Sequence, residues 1–105
     1  MKRIIDGKRY DSEAPQTSRI ASCESGLPES DFGWSEVGLY RTGRGSYFLA
    51  GEGGPMTEWA SHNGNTSTYG TGIKPLSELE AMQWCERNDA YETIEKYFSH
   101  MIEDA

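Results

Sequence analysis

The chain has 105 residues, a net charge of −7 and an apolar fraction of only 35%. This length suits one domain, residues 1–105, that folds without a metal ion or a disulfide, and its 11% aromatic residues argue against disorder. No apolar run reaches the roughly 18 residues of a membrane span, and no secretory signal follows the basic start of the chain, so we expect a cytoplasmic protein.

The N-terminal part of the chain predicts a hairpin followed by a helix. Asp6-Gly7 is the commonest pair in type I′ turns and predicts a short hairpin or an extended ribbon, with four cations on its exposed side. A first helix is predicted from Ser12, as N-cap, to about residues 22–26, with Pro15 in its first turn. Residues 27–33 then predict a loop.

Residues 39–54 are the most strongly patterned stretch. Two runs of β-forming residues flank Thr42–Gly45, which predicts a central β-hairpin entered by a strand that begins at Trp34. The glycines of residues 51–54, followed by Pro55, are expected to end the second strand in a loop or turn.

The pattern is weaker between this hairpin and the C-terminal helices. Residues 56–60 predict about one helical turn, anchored by Trp59. The small polar residues 62–72 predict either a surface loop or an edge strand flanked by turns, and the sequence leaves both open. Residues 73–75 predict a last short strand, which Pro75 confines to an edge or an end.

Two helices are predicted at the C-terminus. Ser77 and Glu80 form a capping-box pattern that starts the first, and Asn88-Asp89 ends it. The second runs from about residue 90 to residue 103. Its apolar residues at helical spacing are Tyr91, Ile94, Phe98, Met101 and Ile102.

The predicted fold class follows from these elements in order. We expect an α+β domain in which an antiparallel sheet is built around the central β-hairpin. One N-terminal helix and two C-terminal helices are expected to pack on this sheet.

Patterns that would indicate a reaction are weak. Residues 51–54 lack phosphate-loop spacing, and Glu52 would repel a phosphate, so a structural role is favoured. Neither histidine has a metal ligand at binding spacing, which argues against zinc. Cys23 and Cys85 lack a CxxC pattern and predict reduced thiols, with a disulfide between them as the secondary interpretation. No nucleophile motif is present, so we expect no cofactor and favour a protein that is not an enzyme.

The excess negative charge lies in the second half of the chain. Residues 1–51 carry seven basic and seven acidic residues, whereas residues 52–105 carry three basic and ten acidic ones. Direct nucleic-acid binding needs cations, so this balance argues against it and favours a partner with a basic surface. The candidate partner-binding residues lie on the C-terminal helices and the tail: Glu78, Glu80, Glu86, Asp89, Glu92, Glu95, Glu103 and Asp104.

These acids have two interpretations. An ordinary solvated face would keep the protein soluble. Alternatively, rows of carboxylates on rigid helices would bind a basic groove that normally holds nucleic acid. Trp59 and Trp84 are the candidate aromatic anchors of such a contact, provided that they are exposed.

Several motifs resemble those of small acidic proteins common in bacterial mobile elements and phages. They are spread over nearly the whole chain: Gly7-Lys8-Arg9-Tyr10-Asp11, Leu39-Tyr40-Arg41-Thr42 with Gly45, Tyr47-Phe48-Leu49, Gly51-Glu52-Gly53-Gly54, and Pro75-Leu76-Ser77-Glu78 with Glu80-Ala81. The resemblance assigns no catalytic residue. Proteins of this kind include anti-CRISPR inhibitors, some of which occupy the nucleic-acid site of a Cas protein or surveillance complex.

The leading hypothesis is therefore a non-enzymatic inhibitor of anti-CRISPR type. Its acidic C-terminal surface would occupy a basic nucleic-acid-binding site on a Cas protein or complex. One alternative is a small hydrolase or nucleotide-modifying enzyme centred on residues 51–54. Another is a structural accessory protein or homo-oligomer of a mobile element, which a large exposed apolar patch would signal.

Overall fold

The computed structural model describes residues 1–105 and contains eight β-strands, two α-helices and one 3-10 turn. The strands are β1 (Lys2–Ile5), β2 (Lys8–Asp11), β3 (Ser18–Glu24), β4 (Ser35–Arg41), β5 (Tyr47–Gly53), β6 (Ser61–Asn63), β7 (Thr66–Thr68) and β8 (Gly70–Leu76). The helices are α1 (Glu78–Arg87) and α2 (Tyr91–Tyr97), and the 3-10 turn is Ser99–Met101. The predicted α+β class is confirmed, but both helices are C-terminal.

Four strands form a central antiparallel sheet in the order β3-β4-β5-β8. Strands β4 and β5 are the predicted central hairpin, with Ser35 opposite Gly53 at one end and Arg41 opposite Tyr47 at the other. The connecting loop places Gly45 at φ +82°, a left-handed conformation that glycine adopts without steric cost. This prediction is confirmed.

The two helices cover one face of the sheet. Leu39, Cys85 and Phe98 are fully buried between these layers, and burial of each large apolar side chain contributes about 1.5–3 kcal/mol. The buried residues of this helix-side core are Leu39, Tyr47, Leu49, Ala81, Trp84, Cys85, Ile94 and Phe98.

The ribbon of β1 and β2 covers part of the opposite face. Its turn has Asp6 at φ +52° and Gly7 at φ +76°, as a type I′ turn requires. Tyr10 packs edge-on against Phe48 of the sheet, with 5.5 Å between ring centroids. The predicted hairpin and its exposed cations are confirmed. Those cations are Lys2, Arg3, Lys8 and Arg9.

The predicted N-terminal helix is wrong, because its residues form turns and an edge strand. The Asp11 carboxylate accepts a hydrogen bond from the Glu13 amide at 2.9 Å and starts the turns. Residues 18–24 then form β3, which pairs with β4. A short isolated helix is marginal in water, whereas pairing with an existing strand satisfies backbone groups along the whole segment. Tertiary pairing therefore overrides the local signal of Ser12 and Pro15.

A β-bulge explains why this strand resembles a helix in sequence. The register shifts between Arg19 and Ala21, so Ile20 has no partner in the ladder. Ile20 and Ala21 both pack against the helix-side core, although alternate residues of a regular strand face opposite sides. The Ile20 carbonyl instead accepts a hydrogen bond from Thr93 Oγ1 at 2.8 Å, which fastens α2 to the edge of the sheet.

Strand β5 continues through Gly51 and Gly53, which were expected to end it, and stops before Gly54 and Pro55. A Cβ atom on Gly51 would overlap the Trp59 ring, and one on Gly53 would overlap the Thr57 side chain. The glycines therefore let the following segment pack closely on the strand. That segment, residues 56–60, forms turns and not the predicted helical turn.

The open question at residues 62–72 is resolved in favour of strands. Strands β6 and β7 form a small hairpin closed by Gly64, at φ +65°, and Asn65. Strand β8 is longer than the predicted residues 73–75, and it lies at an edge of the sheet, where Pro75 removes no interior hydrogen bond.

The capping box of α1 is confirmed. Ser77 Oγ accepts a hydrogen bond from the Glu80 amide at 3.1 Å, and Glu80 Oε1 accepts one from the Ser77 amide at 2.9 Å. Helix α2 ends several residues earlier than predicted, because Phe98 has φ −125°, outside the α-helical range. Tyr91 and Ile102, at the two ends of the predicted apolar stripe, are exposed.

Candidate interaction surfaces

The eight predicted carboxylates form what we call the helix surface. Five of them lie on α1 and α2, Asp89 lies between the two helices, and Glu103 and Asp104 lie in the tail. All eight are exposed, because both helices turn their apolar sides towards the sheet. Two cations, Arg87 and Lys96, are also exposed on these helices.

Three carboxylates of the helix surface have partners within the protein. Glu80 closes the capping box, and the hydrogen bonds from the backbone and side chain of Ser77 lower the pKa of its carboxyl group. Glu78 lies 3.2 Å from His100 Nε2. Asp89 accepts a hydrogen bond from the Tyr91 hydroxyl at 3.0 Å, which raises the pKa of Tyr91.

The other five carboxylates have no hydrogen bond or ion pair within the chain. They are Glu86, Glu92, Glu95, Glu103 and Asp104. These carboxylates are exposed and can therefore meet a cation of another molecule. Lys96, the cation among them, lies 5.3 Å from the centre of the Tyr97 ring.

Neither predicted tryptophan meets the condition of exposure. Trp84 is only 7% exposed and belongs to the helix-side core, because it lies on the same side of α1 as Ala81. Trp59 is half-buried, and its ring covers Gly51 and Gly72 of the sheet. The exposed aromatic side chain on the helix surface is Tyr91.

A second acidic surface lies at the end of the sheet where β4 begins and β5 ends. We call it the loop-end surface, formed by residues 24–36 and 52–58. Its exposed apolar side chains are Phe32 (64%), Met56 (78%) and Leu27 (44%). Sequence reasoning did not single it out. The available signal was the absence of any lysine or arginine in residues 20–40 and 45–73, which contain six acids.

Backbone hydrogen bonds hold the two segments of the loop-end surface together. The Gly54 amide donates to the Trp34 carbonyl at 2.8 Å, and the Met56 amide donates to the Phe32 carbonyl at 2.9 Å. Within the first segment, Asp31 Oδ1 accepts from the Gly33 amide at 2.7 Å. The exposed apolar residues are therefore carried on ordered backbone.

Tyr69 joins this end of the sheet to the carboxylates of β4 and β5. Its ring stacks on Trp34 with 6.2 Å between centroids, and its hydroxyl donates to Glu52 Oε2 at 2.6 Å. The pKa of Tyr69 is raised to about 12, first by the hydrogen bond to Glu52, then by loss of solvation and by the charges of Glu52, Glu29 and Glu36.

Glu36 and Glu52 are directly opposite each other on β4 and β5. Like charges in this arrangement destabilise a sheet unless other groups offset them. The Tyr69 hydroxyl bonds to one of them, and both carboxylates line a cleft of about 180 Å³ together with Arg19. The pair is therefore partly compensated within the fold.

Residues 51–54 do not present the open amide cradle that a phosphate requires. Trp59 and Thr57 occupy the space above Gly51 and Gly53, and the Phe32 carbonyl faces Gly54. His62 lies on β6 and is hydrogen-bonded to Ser67 at 2.9 Å. Residues 51–54 are therefore a packed part of the sheet and its following loop.

The two cysteines are not joined in a disulfide. Cys23 and Cys85 are both free, and burial raises the pKa of the Cys85 thiol to about 11. No group of three histidine, cysteine or carboxylate side chains is placed to hold a metal ion. Neither helix has the length and apolar character needed to cross a membrane.

No protein-family model, no curated protein and no solved structure matches this chain.

Proposed function

We propose that this protein is a non-enzymatic inhibitor that binds the basic nucleic-acid site of another protein, in the manner of anti-CRISPR proteins. The observation that carries the proposal is the exposure of all eight carboxylates of the helix surface, five of them without an internal partner. A groove lined by lysine and arginine is the natural complement of such a surface. The partner we favour is a Cas effector in the cytoplasm of the bacterial host.

The rigidity of the helix surface supports this proposal. Glu86 is on a helix that is capped at its N-terminus, and Glu92 and Glu95 are on a helix fastened to β3 through Thr93. Carboxylates on fixed backbone lose less conformational entropy on binding than carboxylates on a mobile tail. Their combined field also accelerates association with a basic partner, and salt weakens that effect.

The enzyme alternative has less support. Its proposed centre at residues 51–54 is filled by Trp59 and Thr57. The accessory-protein or homo-oligomer alternative has one observation in its favour, the exposed apolar residues of the loop-end surface. Light scattering over a range of protein concentrations distinguishes a monomer from a homo-oligomer.

The direct test measures binding to purified Cas effector complexes and displacement of their target DNA. We expect the triple variant Glu92→Lys, Glu95→Lys and Glu103→Lys to lose at least about tenfold in affinity, because each reversal turns attraction into repulsion. Raising the salt from about 50 to about 300 mM should weaken the wild-type protein in the same direction.

Two single variants provide the matched comparison. Glu92→Lys and Glu13→Lys change the net charge equally, but Glu13 is exposed in the turns after β2, where it lies 4.0 Å from the N-terminal amino group. We expect only Glu92→Lys to weaken binding. Binding that is indifferent to both charge reversal and salt would refute the electrostatic mechanism.

A further inference from the structure

The loop-end surface exposes three large apolar side chains, Leu27, Phe32 and Met56, on two neighbouring segments. Phe32 and Met56 are mostly exposed, and the backbone bond between them keeps them adjacent. Single exposed apolar residues are common on protein surfaces, but several on neighbouring, ordered segments indicate a contact site. Aromatic residues in such a position often supply most of the energy of an interface.

The order of this surface is built into the fold. Ser25 Oγ accepts hydrogen bonds from the amides of Leu27 and Ser35, at 3.3 and 3.1 Å, and closes the base of the first segment. The Thr57 hydroxyl donates to the Gly54 carbonyl at 2.8 Å and orders the second. A partner that binds here does not have to order these loops, so less of the contact energy is lost.

The charge around Phe32 identifies the chemistry of the partner. Glu29, Asp31 and Glu58 are exposed on the same two segments, which contain no lysine or arginine. A second apolar protein surface alone would leave these carboxylates without counter-charges. A surface that combines cations with an aromatic or apolar platform would satisfy both features.

Grooves that bind single-stranded nucleic acid have this combination, since cations follow the phosphates and aromatic side chains stack on the bases. We infer that the loop-end surface enters such a groove, with the Phe32 ring in the place of a base and the carboxylates of Glu29, Asp31 and Glu58 in the place of phosphates. This inference rests on the proposed function and assigns it a second contact. The helix surface supplies long-range attraction, and the loop-end surface supplies the anchor that slows dissociation.

A second copy of the chain is the competing occupant. The ribbon of β1 and β2 exposes Ile4 among the cations Lys2, Arg3 and Arg9. A head-to-tail contact between this ribbon and the loop-end surface would match charge and apolar character. Dilution of the protein alone tests this possibility, because such a contact would give concentration-dependent NMR shifts at both places.

The test uses a chemical probe that needs no identified partner. The full chain, labelled with ¹⁵N, is titrated with the basic aromatic peptide Lys-Trp-Lys-Trp-Lys and, separately, with Lys-Gly-Lys-Gly-Lys. Both peptides should perturb acidic residues on both surfaces through charge. The tryptophan peptide should add amide shifts within residues 27–36 and 52–58, at least about twofold above those of the glycine peptide.

Two variants of similarly exposed aromatic residues sharpen the result. Phe32→Ala should reduce the tryptophan-specific shifts at least about threefold, whereas Tyr91→Ala, on the helix surface, should leave them unchanged. Met56→Ala provides a second variant at the site. Tryptophan-specific shifts that are absent, that fall on residues 78–104, or that survive Phe32→Ala would overturn the inference, as would self-association through the loop-end surface.

Failure of this inference can be told from failure of the proposed function. A protein that binds a Cas complex through the helix surface alone would show no tryptophan-specific shifts in the loop-end surface. A protein with the loop-end anchor but a different partner would show those shifts and would not bind Cas complexes.

Discussion

The helix surface and the loop-end surface are both acidic and both expose apolar side chains, but they differ in their cations and in how those side chains are held together. The helices bury Trp84 and Ile94 in the core, but they also expose Leu79 (50%) and Tyr91 (61%), and they carry the cations Arg87 and Lys96. At the end of the sheet Phe32 and Met56 point outward, among carboxylates with no neighbouring cation in sequence. Carboxylates attract a basic partner, and adjacent exposed apolar side chains that no cation accompanies can also hold it.

The largest expected difference between the two regions concerns two phenylalanines. Phe98→Ala should reduce the free energy of unfolding by about 3–5 kcal/mol, because it opens a cavity in the helix-side core. Phe32→Ala should change it by less than about 0.5 kcal/mol, because the ring is largely in water already. Urea unfolding followed by tryptophan fluorescence measures both. A large loss of unfolding free energy in Phe32→Ala would mean that the ring packs within its own loops. It would then not be available to contact a partner.

The second prediction concerns the glycines under Trp59. Gly51→Ala should destabilise the protein by about 1–3 kcal/mol, because the new Cβ atom would overlap the Trp59 ring in a packed region. Gly72→Ala is the matched control, since its Cβ would lie 3.3 Å from the same ring and needs only a small adjustment. Equal losses of thermal stability in the two variants would show that the segment after β5 is loosely packed. That result would contradict the ordered structure of the loop-end surface.

The third prediction concerns the start of the helix surface. Ser77→Ala should lower stability by about 1 kcal/mol at neutral pH, because it removes the N-cap of α1. The pKa of Glu80 is lowered in the folded state, so its contribution is present above the unfolded pKa and is lost as the pH falls through the folded value. Unfolding curves between about pH 7 and pH 3 should therefore converge for wild type and Glu80→Gln at the acid end. A stability difference between wild type and Glu80→Gln that stays constant with pH would show that the Glu80 carboxylate does not stabilise the capping box.

The smallest effect is expected at Tyr69. Its pKa is raised to about 12, so the neutral hydroxyl stabilises the fold at ordinary pH and this stabilisation is lost as the pH rises through the raised value. Glu52→Gln removes the negatively charged acceptor and should return one late-titrating tyrosine towards pH 10 in ultraviolet absorbance. The change in stability should be within about 1 kcal/mol, because the pair is exposed to solvent. A tyrosine titration that is the same in Glu52→Gln and in the wild type would show that Glu52 does not raise the pKa of Tyr69.

Local sequence patterns were sufficient to predict structures that depend only on neighbouring residues. The Asp6-Gly7 turn, the hairpin around Thr42–Gly45 and the Ser77–Glu80 cap each depend on residues within a few positions of one another. Their sequence signals therefore identify them without knowledge of the rest of the chain.

Local patterns failed where distant residues decide the outcome. Residues 18–24 carry signals compatible with a helix, but β4 offers them a ladder and the bulge at Ile20 docks them on α2. Gly51 and Gly53 look like strand breakers until Trp59 and Thr57 are placed above them. Neither Thr93 nor Trp59 can be assigned to these contacts from sequence spacing.

The features of the candidate interaction surfaces also fall into those that the sequence could predict and those that it could not. The exposure of the eight C-terminal carboxylates was predictable, because charged residues on an amphipathic helix lie opposite its apolar side. The burial of Trp84 and the exposure of Phe32 were not, since both residues have the same apolar character in sequence.

The sequence by itself determined the sign of the charge, the α+β class and the ends of the turns and of α1, because each is set by composition or by neighbouring residues. Only the tertiary structure decided which aromatic side chains are buried and which segments meet at the end of the sheet. Burial depends on the neighbours that pairing and packing bring together, and the bond between Phe32 and Met56 joins segments separated by an entire hairpin.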